Sequence, residues 1–355
     1  MTLEKLSKLA PRIDNEGIYA KDIIKELADD GFFKLMCRDD LLKAIENIAK
    51  VSRECGTTGF CVWCQFALAW YVLNSDNQTL KTNYLSKITN GEILGGTALS
   101  NPIKAFASIE KVKLKARRVK GGYIINGTLP WVSNIEFGHV FAAIALDEQN
   151  EPIMGLIHCD ERVKLASEIK YATLEGSATK SVVVREYFLS DDELLTTDIY
   201  SYLLRITPGF VLLQTGIAAG IINSSIDVIK ASGKSHAHIN SYLPDNADSL
   251  QKEFDNAFST IANLANNIDE VSPLEVLKVR LAGSFLVQKA TNAAVLHSGT
   301  KGYLKDAKAS RLQREGNFVL IVTPSVKHLI KEINDAENGG GCVRSWQSRT
   351  HKASA

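Results

Sequence analysis

The sequence predicts an α+β chain in three parts: helices, then short β segments, then helices again. Three observations predict it. Apolar residues recur at helical spacing over roughly the first ninety positions. From about Ile93 to Leu189 they fall in short alternating runs separated by turn residues. After Asp191 the helical spacing returns and persists.

Each element has its own signal. Tyr19 to Asp29 carries Ile23, Ile24 and Leu27 on one face and stops at Asp30-Gly31. Asp40 caps a helix from Leu41 through Val51, and a more apolar helix follows from Thr57 to Leu73. Gln78 to Thr89 ends in Asn90-Gly91, a good helix stop. The β candidates are Leu94–Leu99, Val112–Val119, Tyr123–Asn126, Val140–Leu146, Pro152–Ile157 and Ser181–Leu189. Their spacing suits a small antiparallel barrel or sandwich. Val119-Lys120-Gly121-Gly122-Tyr123 reads as a hairpin turn. So does Asn126-Gly127, with a second strand beginning near Trp131.

The long apolar helix from Ile206 to Ser232 is expected to break at Gly233. Ala247 to Val271 is amphipathic. Ser272-Pro273-Leu274-Glu275 combines an N-cap, a proline at the first helical position and a capping-box Glu. That helix runs to about His297. Residues 305–333 hold one or two more, interrupted near Thr323-Pro324-Ser325. The expected division is a helical domain over 1–92, a β domain over 93–197, a helical bundle over 198–336 and a flexible tail over 337–355.

Composition narrows the function. The formal net charge is +1, so no global field favours nucleic acid or an anionic membrane. Residues 1–14 lack the apolar core of a signal peptide. The longest apolar run, Gly209 to Ile222, is too short to span a bilayer. A cytoplasmic protein is the expectation. Cys61 and Cys64 form a C-x-x-C, but Phe60, Trp63, Phe66 and Trp70 surround them. Buried thiols are the reading, with no metal site expected.

Trp131 and Ser133 sit two apart, so on a strand they share one face. A broad ring beside a hydroxyl suits a planar, partly polar ligand such as an isoalloxazine. An ordinary edge tryptophan is the alternative from this pair alone.

Longer stretches add to this. Asp22 to Phe33 resembles the first helix and turn of one flavoprotein family, and Tyr84-Leu85-Ser86-Lys87-Ile88-Thr89-Asn90-Gly91-Glu92 resembles its Y-L-P-x-L-x-x-G-E. Thr97-Ala98-Leu99-Ser100-Asn101-Pro102 stands where that family has a T-E-P strand and loop. Gly122-Tyr123-Ile124-Ile125-Asn126-Gly127 through Trp131-Val132-Ser133-Asn134 is similar to its G-Y-x-I-N-G…W-x-S-N. Ala172 to Thr179, then Val182 to Leu189, resembles the last turn and strand of its middle domain. On these motifs the chain resembles the acyl-CoA dehydrogenase superfamily across nearly its whole length.

The resemblance implies a central antiparallel β-barrel between a helical domain and a C-terminal four-helix bundle. It implies a flavin between barrel and bundle, FAD by family habit with FMN open. Trp131 would then cover the ring, Ser133 would hydrogen-bond its polar edge, and Leu99 and Ser100 would approach it. Lys234, in Ala231 to His236, stands where the family has an arginine loop for the flavin pyrophosphate. Ile103 to Ser108 departs from the family's Gly-Ala-Gly-Ser-Asp, which puts coenzyme-A-type binding in doubt.

For dehydrogenation across a CH–CH bond of an acyl-type substrate, Glu315 is the matching base, one residue out of step with the family's Glu-Gly-Thr. Beside Arg311 and Arg314 it also reads as an ion-paired helix residue. The family's oxygen-using monooxygenase branch needs hydrogen-bond donors instead, and His297 and His328 are the candidates. A flavin-free binding or assembly protein is the third class. The implied partners are a second copy in a homodimer or homotetramer, and an electron-transfer flavoprotein or a flavin reductase.

Overall fold

In the computed structural model, residues 1–166 and 170–340 are described below. Five helices lead: α1 (Thr2–Glu16), α2 (Lys21–Asp29), α3 (Leu41–Glu54), α4 (Gly56–Asn74) and α5 (Gln78–Thr89). The middle part holds β1 (Gly95–Thr97), α6 (Ser100–Phe106), β2 (Leu114–Val119), β3 (Gly122–Val132) and β4 (Val140–Leu146). It continues with β5 (Pro152–His158), β6 (Val163–Ala166), β7 (Lys180–Ser190) and β8 (Leu194–Thr196). The last part is α7 (Ile199–Asn240), α8 (Ala247–Asn266), α9 (Pro273–Ser298), α10 (Lys308–Ile321) and α11 (Val326–Glu337). The order helices, sheet, helices is the expected one. The expected tail begins within this last region, and its residues 341–355 lie outside the described residues.

The sheet corrects the expected antiparallel barrel in two ways. It is open, with strand order β6-β7-β3-β2-β4-β5-β8 and β1 added beside β4. The end strands β6 and β8 have only four and three residues, too little ladder to close a ring. It is also mixed. β1 and β2 both run parallel to β4, because each reaches it by a crossover rather than a hairpin.

Asn126-Gly127 is not a hairpin turn. β3 runs straight through it, and the register against β7 slips between Ile125 and Gly127. Gly127 takes φ 146°, so the Asn-Gly pair makes a β-bulge, the other use of a glycine in a strand. The true hairpin turn is at Lys120-Gly121, where Val119 faces Gly122 and Gly121 has φ 81°.

Helix α7 also differs from expectation. It passes Gly233 and reaches Asn240, leaving helical geometry only at His236. By length and composition Ile199–Lys234 could cross a membrane, which the apolar-run reading missed, but 94% of its most apolar window is buried in the fold. The apolar residues Val211, Leu212, Ile217, Ala218 and Ile221 are therefore spent on the protomer's own core.

Helix α4 is the centre of the molecule. All of its nineteen residues except Leu73 are buried. Such a helix has no solvent face and must be enclosed on every side. α3 and α7 cover one side, while α5 and β1 cover the other. Cys61 and Cys64 are free, buried thiols whose pKa values are pushed up by burial, as their aromatic surroundings implied. Gln65 is a buried polar residue in mid-helix, and its amide is fully used. Its Nε2 donates to the carbonyls of Ile88 (2.9 Å) and Ile93 (2.8 Å), and its Oε1 accepts from Gly95 N–H (2.9 Å). This side chain ties the helical core to the start of the sheet.

The approach of α7 to α4 depends on Gly209. A Cβ there would lie 2.2 Å from the Trp70 ring, whose Nε1 donates to Ile206 O at 2.9 Å. Trp70 is wholly buried and has no room to retreat. Gly209→Ala should therefore overpack this contact, costing about 1–3 kcal/mol, and lower the thermal unfolding midpoint. A variant melting with the wild type would show that the two helices are not in tight contact.

Candidate functional site

Among the described residues, a cavity of about 350 Å³ lies between the sheet and helices α4, α7 and α10. That volume is in the range of small-molecule sites. Phe60 and Trp63 lie three apart on α4 and so point the same way. Phe210 of α7 and Phe318 of α10 complete an aromatic wall. Its ring centroids are 5.5 Å apart for Phe60–Trp63, 5.4 Å for Trp63–Phe210 and 4.7 Å for Phe60–Phe318. These spacings are those of well-packed aromatic pairs.

The opposite wall comes from the end of β3. Trp131 and Ser133 both line the cavity, and Trp131 is 45% exposed with Tyr171 beside it at 5.8 Å. Thr179 Oγ1 donates to Ser133 Oγ at 2.8 Å, and Ser177 joins the same hydroxyl chain at 2.8 Å. Asn134, the last residue of the W-x-S-N motif, clamps this corner. Wholly buried at φ 60°, it donates from Nδ2 to Gly95 O (2.7 Å) and from its backbone N–H to Ser177 O (2.9 Å). Its Oδ1 accepts from the Tyr19 hydroxyl at 2.7 Å. Asn and Asp are the side chains that best tolerate this left-handed geometry.

A third side joins Ser100, at the start of α6, to Thr323, just after α10. Their hydroxyls are 2.9 Å apart. Lys104 is the one charged side chain among the described lining residues, and it pairs with Glu110 at 3.1 Å. Two lining residues carry buried polar atoms with no partner among the described residues: Trp63 Nε1 and Thr173 Oγ1.

The structure thus brings together three of the residues singled out from sequence: Ser100, Trp131 and Ser133. The other five stand elsewhere. Leu99 is buried just behind the wall, its N–H donating to Thr97 Oγ1 and its carbonyl accepting from Ile103 N–H. Both backbone groups are already used. Lys234 is exposed on α7, about 36 Å along the axis from Phe210 at 1.5 Å per residue. It therefore lies far from this protomer's cavity.

Glu315, one turn before Phe318 on the same side of α10, does not line the cavity. It is 1% exposed, and its Oε1 accepts Gly56 N–H at 3.0 Å. A carboxylate at that place satisfies an orphan donor and the positive end of α4. Burial nonetheless pushes its pKa up, opposed by Arg311, whose Nε lies 3.8 Å away. Gly56 leaves the room, since a Cβ there would come within 2.8 Å of the carboxyl carbon.

His297 closes α9, its ring Nε2 2.7 Å from Asp245 O, a tie to the loop before α8. His328 is buried on α11, with its pKa lowered to about 4, first by burial and then by Lys331 and Lys104. It is neutral at pH 7 and does not line the cavity. Sequence reasoning missed the aromatic wall, because Phe60 and Trp63 look like ordinary core in so apolar a helix. It also missed Thr179 and Thr323, which only the fold brings to the site.

Known proteins supply the context. No family model matches the chain. It is 20% identical over 344 residues to a probable acyl-CoA dehydrogenase, YngJ, of Bacillus subtilis (strain 168), covering 90% of each chain. Its fold matches glutaryl-coenzyme A dehydrogenase in complex with glutaryl-CoA, with TM-score 0.84 at 16% identity over 97% of this chain and 96% of that one. It also matches TdsC of Paenibacillus sp. A11-2, a dibenzothiophene monooxygenase, in its complex with FMN and indole. There the TM-score is 0.80 at 16% identity over 94% of both chains. With the motifs in order and the fold matched end to end, this chain has the acyl-CoA dehydrogenase fold and is similar in sequence to acyl-CoA dehydrogenases over 90% of its length.

Proposed function

We propose that the chain is a flavin-dependent oxidoreductase that seats an isoalloxazine ring in the cavity between sheet and bundle. One observation carries this reading: half-exposed Trp131 and the Ser133–Thr179 hydroxyl pair face an aromatic wall across about 350 Å³. A flavin ring has an apolar end and a polar edge, and the two walls supply both environments. The unpartnered Trp63 Nε1–H and Thr173 hydroxyl fit a ligand with polar atoms of its own. The phosphate-bearing part finds only Lys104 among the described lining residues, so FMN suits this protomer's cavity at least as well as FAD.

A bound flavin would supply two-electron chemistry. The chain's own groups bind and shield. Trp131 covers a ring face, Ser133 and Thr179 hold hydrogen bonds, and the four aromatic side chains exclude water. Ser100 and Thr323 offer hydroxyls to the reacting partner.

The finer choice turns on Glu315. Removal of an acidified proton needs a base within hydrogen-bond reach of the substrate. Glu315 instead holds Gly56 N–H at the start of α4 through Oε1, with Oε2 lacking a hydrogen-bond partner among the described residues, and does not line the cavity. The cavity's polar groups are mainly hydroxyls, which suit hydrogen bonding to activated oxygen better than proton abstraction. This supports the oxygen-using branch, fed by a flavin reductase, over CH–CH dehydrogenation of an acyl thioester coupled to an electron-transfer flavoprotein.

Fluorescence titration with FMN and FAD tests the cofactor. Trp131→Ala removes a stacking surface worth about 1 kcal/mol and should weaken Kd roughly fivefold. If no oxidised or reduced flavin binds, the oxidoreductase reading fails and the flavin-free class takes its place.

Glu315→Gln tests the base. It keeps an oxygen for Gly56 N–H, so flavin affinity and the anaerobic response to acyl thioesters should stay within about twofold of wild type. Abolished bleaching with flavin still bound would restore Glu315 as the base. The same pair of proteins should differ in pH dependence. A carboxyl whose pKa is raised by folding binds its proton more readily in the folded state. Wild type should therefore gain stability over the variant as pH falls through the carboxylate range.

A further inference from the structure

Arg280 is fully buried in α9, yet no carboxylate of a described residue pairs with it. Burial lowers its pKa to about 10, which leaves it charged at neutral pH. Its hydrogen bonds all go to neutral groups: Nε to Gln214 Oε1 (3.0 Å), Nη2 to Val319 O (2.8 Å) and Nη1 to Ser284 Oγ. Arg280 also borders an apolar gap lined by Ile222, Phe254, Phe258 and Leu286, so little solvent screens it. A buried cation without a counter-charge is costly, and some anion in reach would offset that cost.

The network shows where that anion would be. Gln214 relays from Arg280 toward the cavity, its Nε2 donating to Thr323 O at 2.7 Å. Thr323 lines the cavity and meets Ser100 there. Gln214 is also one turn beyond the cavity residue Phe210 on α7, about 6 Å along the axis. Arg280 thus stands one layer behind the cavity floor.

We propose that Arg280 is a positioning residue whose uncompensated charge, relayed through Gln214 and Thr323, biases the cavity toward an anionic occupant. This rests on the flavin reading, because the reduced ring readily loses a proton and is then the anion. A unit charge acting over about 10 Å at an effective dielectric of about 20 changes a binding constant roughly tenfold. Charge near the ring is one of the means by which proteins tune flavins.

The experiment measures Kd for oxidised and for anaerobically reduced FMN, on wild type, Gln214→Glu, Arg280→Gln and Arg280→Lys. Wild type should bind the reduced form about tenfold tighter. Gln214→Glu adds a counter-charge and Arg280→Gln deletes the cation, so each that folds should bring the ratio toward one. Arg280→Lys keeps the charge and should keep the ratio. Melting midpoints are read alongside. Variants that lose stability with an unchanged ratio would reduce Arg280 to a structural tie and overturn the proposal, as would a wild-type ratio near one. Failure of both redox forms to bind wild type would overturn the flavin reading itself, and this inference with it.

Discussion

The structure depends on burying α4, a helix apolar on every side. A helix with one polar face can lie on a surface, but this one cannot. It has to be wrapped by α3, α7 and α10 on the bundle side, and by α5 and β1 on the other. That requirement joins the sheet to the bundle. It also makes the site, because Phe60 and Trp63 reach the edge of the contact where the two parts no longer touch. Each fully buried aromatic or aliphatic side chain contributes about 1.5–3 kcal/mol, so the enclosure is strongly favoured and the cavity is a fixed remainder of it.

Polar ties then set the geometry that burial leaves free. Gln65 fixes the sheet's start against α4, and Asn134 fixes the end of β3 against Gly95 and Tyr19. Glu315 holds the N-terminus of α4 from α10, and Gln214 holds Thr323 from α7. These groups are buried, and Gln65, Asn134 and Gln214 use both ends of their amides, while Glu315 is bonded through Oε1 with Oε2 lacking a hydrogen-bond partner among the described residues. Losing any one would strand a desolvated donor or acceptor, at about 1–3 kcal/mol. The site is thus positioned by side chains that do not line it.

Much of this was legible in the sequence, for identifiable reasons. The helices with clear periodicity and stops were placed within a few residues, as α4 and α5 show. Trp131 and Ser133 reach one cavity because strand spacing is local information. The Asn126-Gly127 bulge was misread because one glycine signal serves both a turn and a bulge, and only pairing with β7 decides between them. The open, mixed sheet was hidden because strand order is a non-local property. Glu315 was ambiguous for a similar reason. Its place beside Arg311 fits a base or a structural carboxylate equally, and the partner the fold gives it, Gly56, lies 259 positions away. Arg280 gave no signal, since an arginine in a helix normally reads as a solvated charge.

The central claim is that a flavin ring lies between Trp131 and the wall of Phe60, Trp63, Phe210 and Phe318. A crystal structure of the protein grown with FMN, and with FAD in parallel, tests it most directly. The account predicts ring density in that cavity, with Ser133 or Thr179 in hydrogen-bond contact and Glu315 still on Gly56 N–H. Flavin bound elsewhere, or a Glu315 carboxylate turned to the ring, would contradict it.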